Sequence, residues 1–137
     1  MKKLISLTSF FIFISTSLFA EESSLWLRQM PPHMDMGAGF GKICNNTEKD
    51  VFIKSITSDY GKVELHTMVM QDKMMKMKEL QNPKLKAKSC LILEPGAKHL
   101  MILNIKKQAS AGEKKKFLIE FSNNKKSAVI ATTRSGN

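Results

Sequence analysis

Short apolar or β-branched runs, some of them alternating with polar residues and most bounded by polar turns, make up much of this chain from residue 40 onward. Within residues 63–70, the odd positions predict one face of a strand, and the even positions place Glu64, His66, Met68 and Met70 on the other. No segment keeps a helical period. The pattern predicts about eight strands, at residues 40–45, 51–56, 63–70, 74–78, 90–93, 99–105, 117–121 and 127–132. Strands at this spacing favour an antiparallel sandwich or barrel.

The first twenty residues have the pattern of a secretory signal peptide. Two lysines precede an uncharged run over residues 4–19, and Ala20 stands just before Glu21. That run is shorter than the roughly 20 residues that span a bilayer, so we expect cleavage after Ala20 rather than a membrane anchor. We therefore expect a signal peptide (1–20) and one exported domain (21–137) that is not an integral membrane protein. No cysteine follows the run, so we expect no lipoprotein.

Composition limits the classes of function. The chain has 137 residues, of which 42% are hydrophobic, enough for one core. Its formal charge is +10, which becomes +8 when the two signal lysines are removed. Three histidines and two cysteines exclude a Cys-rich zinc module, and the absence of a recognition motif argues against nucleic acid. The lysine runs are interpreted as solvated faces or as a surface for an acidic partner or anionic membrane. We expect a monomer.

Methionine is the unusual residue, with ten copies, and two of them follow a histidine in the pattern His-x-Met. His66 and Met68 form one pair, and His99 and Met101 form the other. Residues two apart on a strand project from the same face, so each pair can direct two ligands to one point. Thioether sulfur is soft and imidazole is borderline, a combination that selects copper, above all Cu(I). A single strand methionine is otherwise more often part of a core.

The complete spacing is more specific than either pair. His66, ten residues, Met77, twenty-one residues and then His99-Leu100-Met101 resembles the H-x10-M-x21-H-x-M signature of the periplasmic copper chaperone family called PCuAC. The similarity runs from about Trp26 to Thr132 and includes the segment 94–101, Glu-Pro-Gly-Ala-Lys-His-Leu-Met. The resemblance implies a cupredoxin-like antiparallel β-sandwich in a single domain. It also implies one Cu(I) per chain with His66, Met77, His99 and Met101 as ligands.

The resemblance further implies a periplasmic metallochaperone, not an enzyme. Its recipient would be an oxidase copper-site subunit or another copper chaperone. A copper-tolerance or buffering protein is an alternative role. A cupredoxin-like electron carrier is another alternative, and its blue-copper site needs a Cys thiolate, two histidines and a weak axial methionine. We expect exposed ligands, so that replacing His99 with Ala would weaken copper binding and spare the fold.

Three features lie outside the matched signature. His33, Met34 and Met36 sit in a segment that Pro31 and Pro32 keep from being helical, where they would bind a second, weaker copper ion or pack on the sandwich edge. Met68 is a further secondary candidate. Met74 and Met75 would pack in a hairpin or form a rim over the metal. Cys44 and Cys90 would form a disulfide in an oxidising compartment or remain two buried thiols.

Overall fold

The computed structural model describes Ile12 and residues 21–136, and within these residues the protein is all β. Apart from Ile12, the residues of the predicted signal peptide lie outside the part of the chain that the structure describes. Across the part described, no helix is long and apolar enough to cross a membrane. The ten strands are β1 (Ser24–Arg28), β2 (Gly37–Asn45), β3 (Val51–Thr57), β4 (Lys62–Gln71), β5 (Met74–Glu79), β6 (Lys84–Leu85), β7 (Ser89–Leu93), β8 (His99–Leu103), β9 (Lys114–Phe121) and β10 (Lys126–Arg134).

The strands form one continuous sheet in the order β5-β4-β8-β2-β1-β10-β9-β3-β6, and β7 also pairs with β2. All neighbours are antiparallel except β1 and β10, which are parallel. The expected cupredoxin-like, antiparallel β class is confirmed, with two strands more than the eight predicted. The additional strands are β1 and the two-residue β6, and β8 ends at Leu103, two residues earlier than expected.

One apolar core lies between the two halves of the curved sheet. Leu65 of β4 and Leu100 of β8 belong to the same buried cluster as Ile53 of β3, Phe117 and Ile119 of β9. Leu100, Phe117 and Ile119 are fully buried, and each such side chain contributes about 1.5–3 kcal/mol of burial free energy. Because side chains alternate along a strand, the residues that flank Leu65 and Leu100 project from the outer face of the sheet.

β2 bends at Gly41 and thereby joins the two halves of the molecule. Before the bend its residues pair with β8, and from Gly41 to Asn45 they pair with β7. Gly41 has a φ of 128°, and a Cβ there would overlap the carbonyl oxygen of Ser24 on β1. Only glycine fits a conformation and a contact of this kind. β8, which pairs with β2 before this bend, pairs along its other edge with β4, where the candidate ligands lie.

Candidate copper site

The two histidines of the signature are direct neighbours across a strand pair. His66 of β4 faces His99 of β8 in the antiparallel register, and their ring centroids are 5.9 Å apart. Both project from the outer face, because Leu65 and Leu100 beside them face the core. His99 is only 9% exposed, and the His66 side chain is 13% exposed. The fold thus places two largely buried imidazoles side by side on the outer face of the sheet.

The two methionines of the signature flank this histidine pair on the same face. Met101 follows His99 by two residues on β8 and lies opposite Glu64 on β4. Met77 lies on β5 opposite Met68, one side-chain row beyond His66. Strands are about 4.8 Å apart and same-face rows about 7 Å apart, so the four residues form a diagonal across three strands. Met101 is half-buried, whereas Met77 is 49% exposed.

The hydrogen bonds of the two imidazoles leave one nitrogen free on each ring. His99 Nδ1 lies 2.9 Å from the carbonyl oxygen of Ala97, and because a carbonyl only accepts, Nδ1 carries the proton. His66 Nε2 lies 2.8 Å from a carboxylate oxygen of Glu64, which likewise accepts. In the neutral rings the lone pairs are therefore on His99 Nε2 and His66 Nδ1. His66 Nδ1 is buried and has no hydrogen-bond partner within the described residues.

Glu64 holds His66 in place and is itself paired with Lys62. Its other oxygen lies 2.9 Å from the Lys62 ammonium group. Hydrogen bonds from Lys62, and then from His66, hold the pKa of Glu64 below its ordinary value. The same contact raises the pKa of Lys62. Glu64 is thus an ionised acceptor at neutral pH, and it orients the imidazole in the way that carboxylates orient metal-binding histidines.

Residues 23–133 match the family model described as "LpqE-like: Putative lipoprotein LpqE-like". The chain belongs to the LpqE-like family. No curated protein sequence is significantly similar to it. Among solved structures, the copper-bound PCuAC domain from PmoF2 is 15% identical with a TM-score of 0.67, and the alignment covers 82% of this chain and 89% of that one.

Two further structures have the same fold. Cu(I)-DR1885 from Deinococcus radiodurans is 17% identical with a TM-score of 0.67, over 88% of this chain and 81% of that one. The apo PCuAC domain from PmoF1 is 16% identical with a TM-score of 0.66, over 83% and 92%. The expected relationship to PCuAC proteins is confirmed in the fold of this LpqE-like protein.

An aromatic wall closes one side of the histidine pair in the LpqE-like protein. The ring of Phe40 on β2 lies 6.4 Å from the His99 ring, and Trp26 of β1 lies 4.8 Å from Phe40. The guanidinium groups of Arg28 and Arg134 lie 4.9 Å from the rings of Phe40 and Trp26, respectively. These contacts are cation–π interactions that cover the aromatic pair. Sequence reasoning missed this wall because it missed β1, although Leu25 and Leu27 alternate with Trp26 and Arg28.

The burial of His99 corrects one expectation. The sequence led us to expect an exposed side chain, but His99 packs beside Phe40 and donates a hydrogen bond to Ala97. Truncation to Ala would leave the Ala97 carbonyl without its donor and a void beside the aromatic wall. A histidine on this strand therefore has a structural role as well as a free nitrogen. The sequence did not predict the burial of His99, because Met101 on its face and Leu100 and Ile102 on the other face are all apolar, so alternation does not separate a buried face from an exposed one.

The segment that contains His33, Met34 and Met36 lies between β1 and β2 and is not helical. Gln108 donates hydrogen bonds of 2.7 and 3.0 Å to the carbonyl oxygens of Met34 and Met36. β2 then begins at Gly37, opposite Ile102, so this segment lies toward the end of β8 that is remote from His99. Its role as a second copper locus stays a prediction.

Cys44 and Cys90 are cross-strand partners in β2 and β7, with Cα atoms 4.0 Å apart, and the structure joins them in a disulfide. Glu21 lies beside them, and together the three make the one His/Cys/Asp/Glu group close enough for metal binding in the described chain. A disulfide offers no thiolate for a metal. His99 also lies away from the disulfide. It is beside Phe40 on β2, whereas Cys44 is four residues farther along that strand. The Cys–His–Met set of a blue-copper site is therefore not assembled.

Proposed function

We propose that this LpqE-like protein binds one Cu(I) ion through His66, Met77, His99 and Met101 and transfers it to a recipient protein. The observation that carries the proposal is the pairing of His66 with His99, each with one nitrogen free of hydrogen bonds. A buried, unpartnered nitrogen such as His66 Nδ1 is costly in an empty site and is satisfied when a metal ion binds. The solved structures of similar fold include copper-bound proteins, which supports the same cargo here.

The donor set favours Cu(I) and favours exchange. Two thioethers and two neutral imidazoles match a soft monovalent ion better than zinc, magnesium or calcium. The thioethers have no proton to lose, so binding depends on pH mainly through the histidines. Met77 is half-exposed on a strand at the edge of the sheet, where an incoming ligand can displace it first. The shielded histidines would then hold the ion until the recipient's ligands replace them.

We propose that the protein acts in the periplasm as a carrier, not an enzyme, and supplies the copper site of a respiratory oxidase. The signal-peptide pattern supports export, and the disulfide is of the kind that persists in oxidising compartments. The resemblance to PCuAC chaperones supports the oxidase as recipient. The family description "lipoprotein" is not carried over, because Glu21 and not a cysteine follows the apolar run.

The decisive experiment uses substitutions that keep each hydrogen bond and remove each free nitrogen. His99→Asn retains an N–H near the position of Nδ1, where it can donate to Ala97, but lacks Nε2. His66→Gln retains an N–H that can reach Glu64 but lacks Nδ1. Each variant lacks a ligand nitrogen, so we expect it to lose more Cu(I) affinity than the roughly 10- to 100-fold lost when a partner of a metal-binding histidine is removed. The measurement is anaerobic competition with a chelator. His33→Asn is the matched control and should bind the first equivalent like the parent.

X-ray absorption on the Cu(I)-loaded parent should count two nitrogen and two sulfur neighbours. Circular dichroism should show that the variants remain folded. Parental Cu(I) affinity in both the His66→Gln and the His99→Asn variant would refute the assignment.

A further inference from the structure

The hairpin of β4 and β5 extends beyond the rest of the sheet. β8 begins at His99 opposite His66, whereas β4 continues to Gln71 before β5 returns. The two turn residues, Asp72 and Lys73, both have positive φ, 51° and 62°, which makes a tight two-residue connection and fixes the register. Every residue of β5 is exposed. The hairpin thus places successive cross-strand pairs of side chains between its exposed turn and the histidine pair.

One face of this hairpin is lined by methionine. Met68 pairs with Met77, and Met70 pairs with Met75, all on the face from which His66 projects. Directly opposed residues have Cβ atoms about 4.5–5.5 Å apart, so both sulfurs of a pair can reach one ion. The Met70/Met75 pair lies about 14 Å along the strand from His66, with the Met68/Met77 pair halfway. Sulfur ligands therefore recur about every 7 Å toward the histidines.

These methionines are not core residues. Met70 is 67% exposed and Met75 is 52% exposed, so neither contributes much burial free energy. Met74 is equally exposed, at 63%, but it pairs with Gln71 and projects from the opposite face. The hairpin therefore contains its own control, with the same residue type, a similar exposure and an adjacent position, but on the other face and without a methionine opposite it.

We propose that Met70 and Met75 form an entry site that binds Cu(I) weakly from solution or from a donor protein and passes it along the Met68/Met77 pair to the histidines. The inference rests on the proposed function, because it assigns a route to that same site. Two neutral thioethers suit a soft monovalent ion. The transfer exchanges one sulfur ligand for another along the methionines and then sulfur for the free nitrogens of the neutral imidazoles, and the ion stays Cu(I) throughout. A bare pair of exposed thioethers without an imidazole is expected to hold the ion only transiently.

The test follows the methionine methyl groups by NMR in protein labelled with [methyl-13C]methionine. Ag(I), a soft monovalent ion that is inert to oxidation here, is titrated in chloride-free buffer. We expect the first equivalent to shift the Met77 and Met101 methyl signals. Ag(I) beyond one equivalent should shift Met70 and Met75 and leave Met74 in place. Loading from a Cu(I)–chelator complex should slow in the Met70→Leu/Met75→Leu variant and not in Met74→Leu, since leucine keeps the apolar volume and removes the sulfur.

Unshifted Met70 and Met75 signals, or equal loading rates in the two leucine variants, overturn the entry site and leave the copper carrier intact if the first equivalent binds. Absence of first-equivalent binding in the parent overturns both proposals. Final affinity for the first equivalent should be the same in parent and leucine variants. A loss there would make Met70 and Met75 part of the principal site and would contradict a separate entry site.

Discussion

Removing the Glu64 carboxylate should weaken Cu(I) binding although Glu64 is not a proposed ligand. In the structure the carboxylate accepts a 2.8 Å hydrogen bond from His66 Nε2, which leaves Nδ1 as the nitrogen that can bind metal. Without the carboxylate the ring is free to rotate and to exchange its proton between the two nitrogens. Part of the binding free energy is then spent on restoring one orientation and one tautomer.

The strength of the Glu64–His66 hydrogen bond gives the expected size of the loss in Cu(I) affinity. Both side chains are largely shielded, Glu64 at 17% and His66 at 13% exposure, so their hydrogen bond is not fully screened by solvent. A hydrogen bond to a charged group contributes about 1.5–3 kcal/mol, which corresponds to roughly 10- to 100-fold in affinity. Losses of that size are typical when the carboxylate partner of a metal-binding histidine is removed. Lys62 is more exposed, at 65%, and its ion pair with Glu64 adds little.

We therefore expect Glu64→Ala to lose about 10- to 100-fold in Cu(I) affinity, measured by anaerobic competition with a chelator. Glu64→Gln should lose less, because its amide oxygen can still accept from Nε2. Nitrogen-15 NMR of the imidazoles should show the proton of apo His66 on Nε2 in the parent and distributed over both nitrogens in Glu64→Ala. That signature separates orientation of the ring from a general loss of stability.

Glu79 provides the matched control. It lies directly opposite His66 on β5 and has the same charge, but His66 has no hydrogen bond to it, because Nε2 contacts Glu64 and Nδ1 has no partner in the described chain. Glu79→Ala should therefore bind Cu(I) within about threefold of the parent, as expected for a screened surface charge. The reasoning is refuted if Glu79→Ala loses as much affinity as Glu64→Ala, or if Glu64→Ala binds like the parent.

Three further predictions concern stability. Gly41→Ala should lower the free energy of unfolding by about 2–4 kcal/mol in denaturant titration, and Gly112→Ala by less, since both have positive φ but only the first Cβ overlaps backbone. Glu113 has a pKa below the ordinary 4.5 because it accepts a backbone hydrogen bond, so its stabilisation is complete above 4.5 and is lost as pH falls through the lowered pKa. Glu113→Gln should flatten that acid limb of the thermal stability profile, and unchanged slopes would contradict this. Protein from the native compartment should titrate with no free thiols, and reduction of the Cys44–Cys90 disulfide should cost about 4 kcal/mol.

Most of the fold could be predicted because alternation along a strand is a local property of the sequence. The face assignment of His66 is an example, since Leu65 is buried and His66 lies on the outer side. β1 was missed although it is as long as β7 and β8, which the sequence predicted. It is held by parallel pairing with β10 at the other end of the chain, which no local pattern reports. The pairing of the two cysteines was one of two alternatives in the sequence, because only the register of β2 with β7 makes them neighbours.

For the candidate site, too, the sequence pattern predicted which residues take part, whereas their arrangement depends on strand register and side-chain conformation. The spacing of the signature identified four residues, but the relation of His66 to Glu64 needed the conformation of both side chains. Alternation places Met74 and Met75 on opposite faces, but only the register set by the tight turn at Asp72 and Lys73 decides which of them shares the face of His66. A turn one residue longer would shift the register and exchange their faces. The length of this turn therefore decides which methionines share a face with His66, and the proposed entry site depends on it most directly.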